Sequence, residues 1–206
     1  MKKLLFAIVT AAMASAFCSS SAQDADRILD GLLLTLSENG ISCSGTLSSA
    51  EFDNVPVSLV MKGERYCISL PETTYWFDGK TGWNGIKDDG KILEVYIQEP
   101  DADDFMSNPF VLLRQRSAFS VSAPDSKTLK LTAKDRQKGV NGALDLTILL
   151  DEKGNPSEIS FTMLVSEAAT GTLRFKIARY ATSGITDDAL TFSMEDYPDV
   201  EIIDLR

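Results

Sequence analysis

The chain has 206 residues, 30 of them acidic against 20 basic, a net charge of −10, and no histidine. So acidic a protein is repelled by phosphate backbones and anionic headgroups, which argues against nucleic-acid binding. The lack of histidine removes the commonest general base and the commonest zinc ligand, which disfavours most hydrolase mechanisms. At the start, Lys2 and Lys3 precede an apolar run from Leu4 to Phe17 and the small residues Ser20, Ser21 and Ala22, the pattern of a secretory signal cleaved near Ala22. A lipid anchor at Cys18 is the alternative, but a lipidated cysteine normally follows a small residue and here follows Phe17. Loss of the two lysines with residues 1–22 takes the net charge from −10 to −12. Residues 23–206 contain no Pro/Ser-rich linker, no repeat and no later apolar stretch near the ~20 residues of a membrane span, and read as one exported domain.

In chain order, Asp24 or Asp26 is placed to cap a helix running to about Asn39, with Ile28, Leu29, Leu32, Leu33 and Leu36 on one side and Gly40 just past its end. From Ser42 the apolar period changes from that of a helix to two. Val57, Leu59 and Met61 alternate with Ser58, Val60 and Lys62, and a turn at Gly63-Glu64 leads into Tyr66, Ile68 and Leu70. Further strands are predicted over 74–77, 82–86 and 93–97, separated by turns at Asp78-Gly79 and Asp89-Gly90. The acidic stretch 99–108 breaks the pattern. Glu99, Asp101, Asp103 and Asp104 lack the spacing of a calcium loop and read as solvated. Asn108-Pro109 then opens a second, short helix to about Ser117, with Phe110, Leu112 and Leu113 apolar. Strands resume near Lys127. The segments 144–150, 159–165 and 173–177 each alternate apolar with polar residues, so each has one dry and one mostly wet face. Cys43 and Cys67 fall in the first and third predicted strands, which are not neighbours in a meander; free thiols are favoured over a bridge, and both remain open.

The count of inward residues carries a functional implication. Roughly nine to eleven strands with three or four inward residues each present on the order of 30 apolar side chains, more than two short helices can cover. The sheet curls upon itself, a partner covers it, or an apolar ligand fills the gap. No nucleophile motif, metal site, cofactor or catalytic carboxylate pair is identified, and an enzyme is not expected.

Two stretches carry a family resemblance. Trp76-Phe77-Asp78-Gly79-Lys80-Thr81-Gly82-Trp83, followed after a turn by Leu93-Glu94-Val95-Tyr96, resembles the D-G-K-x-x-W hairpin of the LolA family of outer-membrane lipoprotein carriers. The ending, Tyr197-Pro198-Asp199-Val200-Glu201-Ile202-Ile203-Asp204-Leu205-Arg206, resembles the closing strand of LolA-like proteins. The resemblance implies an α+β fold in which an open, curved antiparallel sheet, a half-barrel, has helices covering its concave face over a hydrophobic cavity. It implies a monomeric periplasmic carrier of acylated lipoproteins or lipids, loaded by an inner-membrane ABC-type lipoprotein release complex, with a possible outer-membrane acceptor. A sensing or adaptor domain of the same fold, bound to a protein partner, is the alternative. The cavity residues expected on this reading are Leu32, Leu33, Leu36, Leu59, Met61, Ile68, Phe110, Leu113, Phe161, Met163, Phe175 and Ile177, with Trp76 and Trp83 at its mouth. The family's second hairpin carries an Arg-Pro pair whose arginine holds a lid helix. This sequence departs there, reading Met61-Lys62-Gly63-Glu64-Arg65, with Lys62 and Arg65 as the nearby cations.

Overall fold

The computed structural model describes residues 23–99, 115–140, 142–166 and 169–206. The expected signal, and Phe110 and Leu113 of the expected second helix, lie outside the described residues. Of that helix, only its last residues are described, and Arg116–Ala118 form a single 3-10 turn.

Helix α1 spans residues 23–38, so Asp24 and Asp26 lie within it and do not cap it. It stops where Gly40 adopts a φ of 76°, with the Asn39 and Gly40 amides both donating to the Thr35 carbonyl. Glycine is required here twice over: the φ is left-handed, and a Cβ would stand 2.7 Å from the Met61 carbonyl oxygen.

Twelve strands follow among the described residues: β1 (Ile41–Ser48), β2 (Val55–Lys62), β3 (Arg65–Ser69), β4 (Thr73–Phe77), β5 (Gly82–Asp88), β6 (Lys91–Gln98), β7 (Phe119–Asp125), β8 (Thr128–Ala133), β9 (Ala143–Leu150), β10 (Pro156–Ser166), β11 (Ala169–Ala181) and β12 (Glu201–Asp204). They form one open sheet in the order β12-β6-β5-β4-β3-β2-β1-β11-β10-β9-β8-β7. The chain starts in the middle with β1 and meanders out to β6. It resumes at the far edge with β7 and meanders back until β11 pairs with β1. Only β12 is parallel to its neighbour, β6. Strand β7 was not expected from the sequence, because its alternation is of valine and alanine with serine and it contains Pro124, a residue tolerated only at a sheet edge.

The sheet curves. Core residues of α1 reach both walls: Leu29 belongs to a buried cluster that includes Leu129 and Leu131 of β8, and Leu36 to one that includes Tyr66 of β3. Leu29 and Leu36 are about 10 Å apart along a helix, whereas β3 and β8 are six strand spacings apart, roughly 29 Å on a flat sheet. Only a sheet folded around the helix brings both walls within side-chain reach. The bend is helped at the central seam, where the β1–β11 register shifts between Ser44 and Gly45 and a Cβ on Gly45 would lie 1.9 Å from the Lys176 carbonyl oxygen.

A second apolar layer covers the outer face of β3 to β6. After β11 the chain crosses this face through 3-10 turns at Asp188–Leu190 and Met194–Asp196 before pairing as β12. Leu190 is fully buried, and Phe192 packs on Trp76 with ring centroids 5.4 Å apart and stacks on Tyr197 at an interplanar angle of 8°. Trp83 joins the same cluster with Val95. Trp76 and Trp83 therefore do not line the mouth of an inner cavity: they face away from α1. Both faces of β4 are apolar at Tyr75, Trp76 and Phe77, so alternation alone could not say which face meets the helix. Arg65 ties this layer down by donating to the Asp187 carboxylate at 2.8 Å and to the Thr191 hydroxyl at 2.8 Å.

Phe192 is the centre of that layer. Phe192→Ala is expected to lower stability by about 3 kcal/mol or more, seen as a reduced urea midpoint with an unchanged slope. A smaller loss, of the size of a surface substitution, would show that the C-terminal segment does not depend on this contact.

Candidate functional site

The inner face of the sheet is apolar because strand parity makes it so. Side chains directly opposite each other on paired strands share a face, and Leu59 lies opposite Ile68 and Cys43, Phe161 opposite Leu173, Phe175 opposite Ile159 and Leu47, and Ile177 opposite Gly45. Leu59, Met61, Ile68, Phe161, Met163, Phe175 and Ile177 thus fall on the face that α1 covers. Met61 and Phe175 are buried; the others are half-buried. From the helix, Leu36 is buried against Met61, Tyr66 and Phe77, and Leu32 and Leu33 pack partly buried on the larger cluster around Leu29.

The sequence reading missed an aromatic group on this face. Tyr66 lies with its ring centroid 5.4 Å from that of Phe77 and 5.9 Å from that of Tyr75. Their signal was present in the alternation of β4, where Tyr75 and Phe77 flank Trp76 and so point to the other side. On either side of the helix-covered zone the apolar surface continues, half-buried, through Leu47, Val55 and Val57 on one wall and Leu173 on the other.

The helix is held from one flank by ions. Arg116, beside the start of β7, donates to the carboxylates of both Asp26 and Asp30, which stand one turn apart on α1. Those two hydrogen bonds, first that with Asp26, raise the guanidinium pKa above its ordinary value. Arg65, by contrast, is committed to the outer layer, and the hairpin reaches the helix through its backbone, the Gly63 amide donating to the Leu36 carbonyl at 3.0 Å.

Along the other flank of α1 runs a groove of about 770 Å³. Ile28, Gly31, Leu32 and Thr35 form its helix wall; Ala123, Leu150, Tyr180 and Thr182, from the ends of β7, β9 and β11, form the opposite one. Its volume lies within the ~300–1,000 Å³ of small-ligand sites. Among the described residues, Leu32 is the only expected cavity residue that borders it.

No family model matches this chain, and no curated protein matches it. Among solved structures, similarity is found to the Pseudomonas aeruginosa MucA/MucB complex, with 14% identity over 84% of this chain and 62% of that chain at a TM-score of 0.42. A structure of MucB gives 16% identity over 84% of this chain and 64% of that one, with a TM-score of 0.40. A LolA superfamily protein from Nitrosomonas europaea gives 10% identity over 86% of this chain and 99% of that one, with a TM-score of 0.38. The chain thus spans less than two thirds of the length of the two MucB-containing matches. All three are loose likenesses.

The two thiols report how dry the sheet is on each side. Cys43 lies under α1 and Cys67 in the outer layer, on strands separated by β2, and both are free. Burial pushes their pKa values from 9.0 up to about 12 and about 11 respectively. The unfolded chain therefore releases these protons near pH 9 while the folded chain retains them. The stabilisation they represent is complete below pH 9 and is lost as pH rises toward the folded values. Replacing both by alanine should flatten the decline of stability above pH 9, measured by urea unfolding at stepped pH. An equally steep decline in the double variant would show that other groups cause it.

Proposed function

We propose that this protein is an exported, periplasmic carrier that takes acyl chains of lipoproteins or lipids against the inner face of its sheet, with α1 as a partial cover. The observation that supports this reading is the band of half-buried apolar side chains beside the helix, Leu47, Val57, Leu59 and Ile68 on one wall and Phe161 and Leu173 on the other. Side chains in this state lose little when an apolar guest replaces water over them. The guest gains a great deal, at roughly 0.8 kcal/mol for each CH₂ removed from water. Exposed acyl chains of about sixteen carbons cannot cross an aqueous compartment unshielded. In this role the carrier receives its cargo from an inner-membrane ABC-type release complex and hands it to an acceptor at the outer membrane. The chemistry needed is burial and release, and the carrier needs no cofactor.

Mass spectrometry of protein purified gently from a membrane-bearing, oxidising compartment, before and after solvent extraction, is expected to find acylated peptides or lipids at near one per chain. A clean protein with no bound lipid would sink the carrier reading and shift attention to a protein partner. Leu59→Glu and Phe161→Glu place a carboxylate on the two walls and are expected to cut lipid capture by about tenfold or more while the sheet still folds. Unchanged capture by a folded variant would mean that cargo does not touch this face.

A further inference from the structure

The centre of α1 holds a residue that helix physics disfavours. Glycine is the poorest helix former after proline, and Gly31 lies midway along residues 23–38. Interior glycines are usually explained by another backbone pressing close, as at Gly40 and Gly45, where an added Cβ would meet a carbonyl oxygen at 2.7 and 1.9 Å. Among the described residues, that explanation fails for Gly31, whose Cβ would meet nothing within 4 Å. The space it leaves open is the groove of about 770 Å³ along this flank of the helix.

The groove has the polarity of a site for an amphiphile. Ile28, Leu32, Ala123 and Leu150 line it and belong to, or pack on, the main core, so its floor is continuous with the apolar interior. Tyr180, Thr182 and Asn155, which carry hydroxyl and amide groups, are among its lining residues. Among the described residues, its charges are Asp24 and Asp125 against the single cation Arg27, and Arg27 is already in contact with Asp24 at 3.3 Å. The lining is net negative in a protein of net charge −10, and a phosphate would meet repulsion there.

Resting on the acyl-binding reading above, we infer that this groove seats one acyl chain of an amphiphile with an uncharged, ester- and hydroxyl-bearing head, of the acylglycerol type. The absent side chain at position 31 keeps the channel open. The chain lies on Ile28, Leu32 and Leu150, the head meets Tyr180, Thr182 and Asn155, and the same chain bearing a phosphate is rejected.

The test uses the purified full chain in equilibrium dialysis against two probes below their aggregation concentrations, 1-palmitoylglycerol and 1-palmitoyl lysophosphatidate. The neutral lipid is expected to bind about tenfold or more tightly than the anionic one. Gly31→Leu fills the groove and should reduce binding of 1-palmitoylglycerol by about tenfold or more while raising Tm by a few degrees, roughly the effect of better helix propensity. Gly31→Ala should raise Tm in the same way and leave most of the binding intact, which separates filling of the groove from stiffening of the helix. Equal or tighter binding of the lysophosphatidate, or unchanged binding by a folded Gly31→Leu, would overturn the inference. If Gly31→Leu binds normally while Leu59→Glu does not, cargo sits on the open sheet face and the carrier reading stands without the groove. If neither lipid binds the unaltered protein, both fall.

Discussion

The architecture depends on one helix having to touch two walls. The buried residues of α1, Ala25, Leu29 and Leu36, form a stripe one side chain wide, and they belong to clusters on opposite halves of the sheet. A flat sheet cannot satisfy that stripe, so the strands fold around it, and register shifts accompany the bend at several pairings, among them the β1–β11 seam, where a Cβ on Gly45 would strike the Lys176 carbonyl oxygen. Bending leaves the sheet with an outer face as well as an inner one. Over β3 to β6 that outer face is itself apolar, and the C-terminal segment must return across it, carrying Phe192 and Tyr197, to keep it dry. Among the described residues, the inner face is covered by α1 along a line and is half-buried beside that line.

Much of this was legible in the sequence because a period of two is a strong signal wherever one face is wet. The alternations of 144–150, 159–165 and 173–177 assigned their faces correctly: Phe161, Met163, Phe175 and Ile177 all turn toward the helix side. The signal failed where both faces are dry. In β4, Tyr75, Trp76 and Phe77 are consecutive aromatic residues, and nothing local states which of them meets the helix; the choice of Trp76 was wrong because the segment that covers it arrives from more than a hundred residues later. Strand β7 was hidden by serines and a proline, residues that suit an edge. The bend was illegible for a different reason. It comes from register shifts between strands, and register is a property of pairs that no single segment encodes.

The family-like motif has a structural job in this molecule. The Asp78 carboxylate accepts hydrogen bonds from the backbone amides of Lys80 and Thr81, Gly79 turns with a φ of 101°, and Trp76 and Trp83 pair directly across the hairpin. Each of those residue types is explained by the tight turn and by the outer layer, without any ligand. The motif is therefore a signature of how this part of the sheet is built. The functional reading must stand on the inner face, which the motif meets through Phe77, packed with Leu36, Met61 and Tyr66, and on the groove.

The proposed carrier role asks for a cover that can be displaced. The strands are joined by their own ladders and, outside, by the aromatic layer, while the inner face depends on α1 for its burial. The helix is held by two buried leucines and an alanine, at about 2 kcal/mol for each leucine, by the partly buried Ile28, Leu32 and Leu33, by the Gly63 amide, which donates to the Leu36 carbonyl at 3.0 Å, and by the Arg116 ion pairs. The carboxylates of those pairs are more than half exposed, and surface pairs of this kind contribute roughly 0–1 kcal/mol. An acyl chain of about sixteen carbons gains more than the helix contacts it would disturb, at ~0.8 kcal/mol per CH₂. On the proposed carrier reading, loading exchanges these helix contacts for contacts with the guest.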